Sequence, residues 1–242
     1  MARQLTGMTA IVVGASSGMG AAVARALARE SMHVAVAARS TDRLEAVADE
    51  LRDTGASALA LPTDVSDRAA VEQMVNATRD RFGRIDLLVY AAGMNVPDRS
   101  LERLRPETWE TMLATNLTGA FHCTQLVLPA MREQGEGLII YLSSAAVGLP
   151  DVSGVSYQSS KHGLSGLAFG TSVEEKARGV RTCVIFPGLT DTPILQQRPT
   201  PTPADVLRAA LEPEDVAEAV AFVARLDSRA SVPQLWLLPS RL

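Results

Sequence analysis

The sequence predicts an α/β fold, a doubly wound parallel sheet of about seven strands with helices on both faces, and three observations carry that prediction. Short apolar runs recur at 10–13, 33–37, 58–61, 85–90, 137–142 and 181–186, each reading as a strand buried on both faces. Between them, at 19–30, 41–52 and 67–82, apolar residues fall at spacings of three and four with charges on the other side, the pattern of amphipathic helices. Aromatic residues are only 4% of the chain against 47% hydrophobic, so Ala, Val, Leu and Ile must build the core, which suits helices packed on a parallel sheet.

Strands joined by helices run parallel with right-handed crossovers, and ligands then sit beyond the carboxyl ends of the strands. Longer helices are expected over 106–133 and 155–178 and a shorter one over 213–225, with Pro106 and Pro213 in first-turn positions. A last strand, 234–238, closes the sheet. Pro193, Pro199, Pro201 and Pro203 make 193–203 a stiff extended loop rather than a helix, and the stretch 189–212 around it reads as a substrate lid. No composition shift marks a linker, so 1–242 reads as one domain.

A formal net charge of −4 and the lack of any Lys/Arg-rich run argue against a nucleic-acid partner. The first ten residues lack the apolar core of a secretion signal. No run approaches the roughly 18 apolar residues that span a bilayer, so a cytoplasmic protein without a membrane partner is expected. Cys123 and Cys183 stand far apart with no C-x-x-C or His spacing, and are expected to be buried structural thiols rather than redox or metal ligands.

After the first strand come Gly14, Gly18 and Gly20, then an Ala-rich helix. A tight glycine turn lets backbone N–H groups and a helix N-terminus approach a pyrophosphate, and a side chain at Gly18 or Gly20 would obstruct it. The second strand ends at Ala38, Arg39 and Ser40, with no acid where a ribose 2′-hydroxyl would be held. A guanidinium there can fork onto a 2′-phosphate, with Ser40 and Arg43 assisting. The expected cofactor is NADP(H), with NAD(H) the alternative.

In the helix after the fifth strand, Tyr157 and Lys161 stand at i and i+4, one above the other on one face. A tyrosine titrating near ~10 is a poor base at neutral pH, and a cation one turn away, with a nicotinamide cation nearby, is expected to favour its phenolate. Ser144 follows the fifth strand, where its hydroxyl can hold a substrate oxygen in the same crevice. His162, beside Lys161 but about 100° round the helix, is expected to pack or face solvent, as are His33 and His122.

Together these motifs resemble the short-chain dehydrogenase/reductase family over essentially the whole chain. The likeness rests on the Gly14/Gly18/Gly20 turn, Asp64 with Val65, Ala91-Ala92-Gly93, Asn116 in N-x-x-G, Ser144, Tyr157 with Lys161, and Pro187-Gly188 with Thr192. The resemblance implies a Rossmann fold with Tyr157 as general acid or base, Lys161 holding the nicotinamide ribose, Ser144 orienting the reacting oxygen and Asn116 supporting a proton-relay water. It implies that Asp64 and Val65 border the adenine, and that the backbone after Pro187 and Gly188, with the Thr192 hydroxyl, holds the carboxamide. Ser16, Ser17, Met19 and Thr190 join the implied cofactor contacts, and a homotetramer or dimer is expected. Val13 replaces the family's usual Thr, and Tyr90-Ala91-Ala92-Gly93 stands where Asn-Asn-Ala-Gly is frequent, changes expected to affect local hydrogen bonding rather than chemistry. Ser17 occupies a position where many NADP-linked relatives carry a basic residue, which leaves Arg39 without that partner.

The resulting expectation is reversible hydride transfer between NADP(H) and a secondary alcohol or ketone, or an aldehyde. Met94, Val147, Val152, Leu189, Ile194 and Leu195 are candidates for the substrate pocket, and Arg198 in the lid either meets an anionic substrate or is a solvated charge. A nucleotide-binding regulator of the same fold is the competing reading, and consumption of NADPH with a panel of carbonyl compounds separates the two. A dehydratase or epimerase using bound NAD is disfavoured by the lack of a separate substrate domain.

Overall fold

The computed structural model describes residues 3–149 and 151–242. The elements are β1 (Thr9–Val13), α1 (Gly18–Arg29), β2 (His33–Ala38), α2 (Thr41–Asp53), β3 (Ala58–Pro62), α3 (Arg68–Phe82), β4 (Leu87–Tyr90), α4 (Pro106–Leu113), α5 (Gly119–Gln134), β5 (Gly137–Leu142), α6 (Val155–Glu175), β6 (Val180–Pro187), α7 (Ala204–Ala209), α8 (Pro213–Ala224) and β7 (Gln234–Leu237). The seven strands form one sheet in the order β3-β2-β1-β4-β5-β6-β7, with every neighbouring pair parallel. The order reverses between β1 and β4, which opens a crevice at their carboxyl ends.

Alternate residues of the central strands feed opposite cores. Val12 of β1, Val36 of β2, Val89 of β4 and Ile140 of β5 pack with residues of α1, α2 and α8. Their neighbours Ile11, Ala35, Leu88 and Ile139 pack with α3, α5 and α6. Two apolar faces per strand explain the unbroken apolar runs in the sequence. The edge strands depart from that expectation. Strand β3 is half-buried rather than enclosed on both faces, and β7 alternates exposed with half-buried residues, because each has a neighbouring strand on one side only. Cys123 and Cys183 are both buried and free, and burial pushes each thiol up to about 12.

The stretch expected as one helix over 106–133 contains a π turn, Ala114–Thr118, between α4 and α5. An extra residue in the turn re-aims the side chains there, a device common at functional sites. Its support comes from β4, where the Tyr90 hydroxyl donates to the Thr115 carbonyl at 2.5 Å. The proline-rich stretch also differs from expectation. Pro193 opens a 3₁₀ helix, Pro193–Gln197, because a proline in a first turn has no N–H to lose. Only the later prolines, Pro199, Pro201 and Pro203, keep the chain out of helix, up to α7. This excursion leaves and returns at one point, since Thr190 and Leu211 form a parallel bridge.

One buried charge ties α5 to α6. Glu175 is 1% exposed and accepts from Arg132 Nε at 2.8 Å and Arg178 Nη1 at 3.0 Å. Hydrogen bonding from Arg132 leads the effects that hold its carboxyl down at about 2.

Candidate active site

A cleft of about 820 Å³ runs across the carboxyl ends of β1, β2 and β4, large enough for a dinucleotide by the usual scale of ligand sites. Its walls contain Gly14, Ser16, Ser17, Gly18, Met19, Gly20, Arg39, Ser40, Asp64, Val65, Ala91, Ala92, Gly93, Tyr157, Lys161 and Thr192, together with Pro193 and Ile194 of the excursion after β6.

The glycine turn owes its shape to close backbone approach. Gly14 has φ +85° and a Cβ there would stand 2.6 Å from the Ala92 nitrogen, while one at Gly20 would strike the Gly14 carbonyl. Gly20 therefore closes the turn on itself, a different reason from the one expected. Ser17 caps α1 with extended backbone but makes no side-chain cap, and the first turn carries no acid, so the positive helix end is left to an anion. At the end of β2, Arg39 is exposed and Arg43 Nε donates to Ser40 Oγ at 3.0 Å. Nearby Asp64 is held low, first by its bonds from Ser66 and then by the charge of Arg39.

The opposite end of the crevice narrows into a pocket of about 160 Å³, lined by Ser144, Tyr157, Pro187, Gly188, Leu189, Thr190, Thr192, Ile194 and Leu195. Tyr157 and Lys161 share a face of α6, with the ammonium 5.7 Å from the phenol ring centroid. Lys161 Nζ is buried and donates to the Leu142 carbonyl at 2.8 Å, and burial lowers its pKa to about 8. A Cβ at Gly93 would lie 3.3 Å from that ammonium.

The leading influences on the Tyr157 phenol do not include the expected one from Lys161. Burial raises the Tyr157 phenol above its ordinary value, and the opposing influences come from the Ser144 hydroxyl and the charge of Arg99. The Lys161 charge is instead turned toward a main-chain carbonyl. A phenol in this state keeps its proton at neutral pH, which suits a proton donor.

Asn116, in the π turn, lies behind the cleft wall, fully buried. Its Oδ1 accepts from Met94 N at 2.8 Å, and its Nδ2 donates to Met94 O at 3.1 Å and Ser160 Oγ at 3.0 Å. The side chain is thus committed to holding the loop after β4 against α6. Among the pocket candidates, Leu189, Ile194 and Leu195 line the inner pocket and Met94 the cleft. Val147 packs against the core instead and Val152 is exposed. His33 stacks on Phe82, His122 and His162 contact the Val65 and Gln158 carbonyls, and none of the three lines the cleft or the inner pocket. Sequence reasoning passed over Asn95 and Arg99, which both line the inner pocket. They sit in the irregular stretch after β4, where no periodicity points to an orientation.

Residues 8–202 match the family model described as short chain dehydrogenase. The chain belongs to the short-chain dehydrogenase/reductase family and is an NAD(P)-dependent oxidoreductase of that family. Cis-4-hydroxycyclohexanecarboxylate dehydrogenase of Sinomonas cyclohexanicum is 34% identical over 220 residues, covering 89% of this chain and 88% of the relative. Among solved structures, an alcohol dehydrogenase from the archaeon Thermococcus sibiricus, complexed with 5-hydroxy-NADP, superposes with a TM-score of 0.87 at 32% identity over 97% of both chains. The 3-ketoacyl-(acyl-carrier-protein) reductase from Brucella melitensis, complexed with NADH, gives a TM-score of 0.89 at 27% identity, covering 98% of this chain and 99% of that one. Among the described residues, no helix is long and apolar enough to cross a membrane.

Proposed function

We propose that the protein interconverts a secondary alcohol and a ketone with NADP(H), in a single domain whose 189–212 segment closes over the substrate. The observation that carries this reading is the convergence of Ser144 and the half-buried Tyr157 on a small pocket that opens beside the glycine-turn cleft. A nicotinamide dinucleotide fits the cleft because the close-packed turn at Gly14 and Gly20 brings to its wall the N-terminus of α1, which has no anionic cap.

In this reading the turn residues Ser16, Ser17, Gly18 and Met19 hold the pyrophosphate, Asp64 and Val65 border the adenine, and Arg39 with Ser40 takes the 2′-phosphate. Ala91, Ala92 and Gly93 floor the ribose, which Lys161 binds, and Pro187, Gly188, Thr190 and Thr192 position the carboxamide. When bound, the dinucleotide donates or accepts the hydride. Ser144 Oγ orients the substrate oxygen and Tyr157 Oη gives it a proton in reduction or takes one in oxidation. Asn116 positions the loop after β4 and, with it, the path of the proton to solvent. The named relatives, a hydroxy-acid dehydrogenase, an alcohol dehydrogenase and a ketoacyl reductase, all bear names of hydroxyl–carbonyl chemistry, which supports the reaction class.

Exposed Phe121 of α5 and Phe169 and Val173 of α6 support a homo-oligomer built on these helices. The test of the chemistry is a panel of ketones and aldehydes followed at the NADPH absorbance, in parallel with NADH and with Tyr157→Phe. Turnover by the wild type and a loss of orders of magnitude in the variant, with cofactor binding retained, is the expected result. Near-normal turnover by Tyr157→Phe rejects the assignment.

A further inference from the structure

The inner pocket has two arginines in its wall that the chemistry of hydride transfer does not use. Arg99 is 6% exposed. Its stem packs against Gly154, a position with φ +87° where a Cβ would stand 2.8 Å from the Arg99 carbonyl oxygen and 2.9 Å from its Cβ. Its Nη2 donates to the Gln197 carbonyl of the lid at 2.6 Å, while its Nε is buried with no partner among the described residues. Arg198 comes from the excursion after β6 and, among the described residues, donates from Nη1 only to the Thr202 hydroxyl, at 3.3 Å. The ion pairs of the described residues involve neither arginine.

Arg99 and Arg198 both line the pocket that Ser144 and Tyr157 also line. The lining carboxylate is Asp151, which is exposed and accepts from the Ser153 nitrogen at 2.9 Å. Two cations and one solvated anion leave the pocket with net positive charge. Burial, first, and the charge of Arg198 pull the Arg99 pKa down, against the charge of Asp151, which opposes them only in part. A buried charge without a partner is costly, and a fork of N–H donors matches a planar carboxylate.

We infer that Arg99 and Arg198 seat a carboxylate of the substrate, making the enzyme a dehydrogenase/reductase of small hydroxy and oxo acids. The inference rests on the oxidoreductase reading of the same pocket and names its substrate class. The hydroxy acid loses a hydride from its carbinol carbon to the oxidised cofactor and its hydroxyl proton to Tyr157. The products are the oxo acid, the reduced cofactor and one proton, and the carboxylate is unchanged. A pocket of about 160 Å³ restricts the acid to a short or single-ring skeleton.

The experiment compares levulinate and its longer homologues, each with a methyl ketone at the far end, against their methyl esters. A second readout without turnover is the thermal shift of the cofactor-loaded protein on adding the saturated carboxylates. The acids are expected to exceed the esters in kcat/KM by roughly tenfold or more, mainly through KM, and the saturated acids to raise Tm. Arg198→Gln and Arg99→Met should bring the acids down to the level of the esters. Arg198→Gln lies in the lid, away from the core, and carries the test if Arg99→Met does not fold. Equal kcat/KM for acid and ester, or an acid preference that survives Arg198→Gln, overturns the seat and leaves the oxidoreductase reading standing. A carboxylate-induced shift without cofactor consumption by any carbonyl compound supports the seat and overturns that reading instead. An Arg99→Met variant that slows acid and ester alike makes Arg99 only a latch for the lid.

Discussion

Tyr90→Phe removes a single oxygen from a side chain that is fully buried and bonded to the π turn. The hydroxyl donates to the Thr115 carbonyl at 2.5 Å, and the ring packs in the core shared with α5 and β5. Deleting the donor strips a carbonyl of its partner, a change that costs about 1–3 kcal/mol in a sealed interior. Thr115 lines the cleft, where water can partly replace the lost donor, so about 1–2 kcal/mol is expected, or a fall in Tm of roughly 2–8 °C. Turnover should drop by less than about tenfold, since each tenfold needs 1.36 kcal/mol at the transition state and Asn116 keeps its own bonds to Met94 and Ser160. Gly119 supplies an internal control. A Cβ there would stand 2.6 Å from the Tyr90 hydroxyl and 2.6 Å from Val65 Cγ2, so Gly119→Ala should cost less stability in the Tyr90→Phe background, though still something because Val65 remains. Urea and thermal unfolding of the four proteins, with steady-state kinetics, measure all of this. An unchanged Tm, additive costs, or a turnover loss as deep as that of Tyr157→Phe would refute the account.

Arg39→Ala should weaken NADP(H) by about 1.5–3 kcal/mol, the range for hydrogen bonds to a charged group, while leaving NADH little changed; a titration that finds equal loss for both cofactors, or none, removes the 2′-phosphate from the argument. Because burial raises the Tyr157 phenol, alcohol oxidation, which needs the base, should climb from about pH 6 to 9 while ketone reduction, which needs the acid, stays level; a flat oxidation profile in single-turnover measurements would contradict it. Glu175 has its folded value depressed from 4.5 to about 2, so it contributes stability above the unfolded value that is lost as pH falls from about 4.5 toward 2. Its arginine partners are half-exposed, so the contribution is discounted to about 1–2 kcal/mol, and Glu175→Gln should lose that part of the acid dependence in urea melts.

The sheet and its crevice were legible because two opposed cores call for apolar residues along most of a central strand, and the helical spacing between the runs then dictates parallel order. The same logic weakened where that double burial ends, at the edge strand β3. The π turn was illegible because its cause is a bond between Tyr90 and Thr115, 25 residues apart, that no local periodicity records. The proline-rich lid misled for the opposite reason, since four prolines look alike in sequence but only those beyond a first turn exclude helix. Tyr157, Lys161 and Ser144 could be read because one helical face and one strand end bring them together. Arg99 could not. Its position depends on a close approach to Gly154, across the turn that follows β5, and on a carbonyl of the lid 98 residues away. Residues proposed to bind the reacting atoms lie on scaffold elements and repeat their pattern, whereas those proposed to choose the substrate stand where irregular segments meet. For that reason Arg99 and Arg198 face the same pocket from unrelated loops, and their shared shortage of anionic partners became visible only in the folded chain.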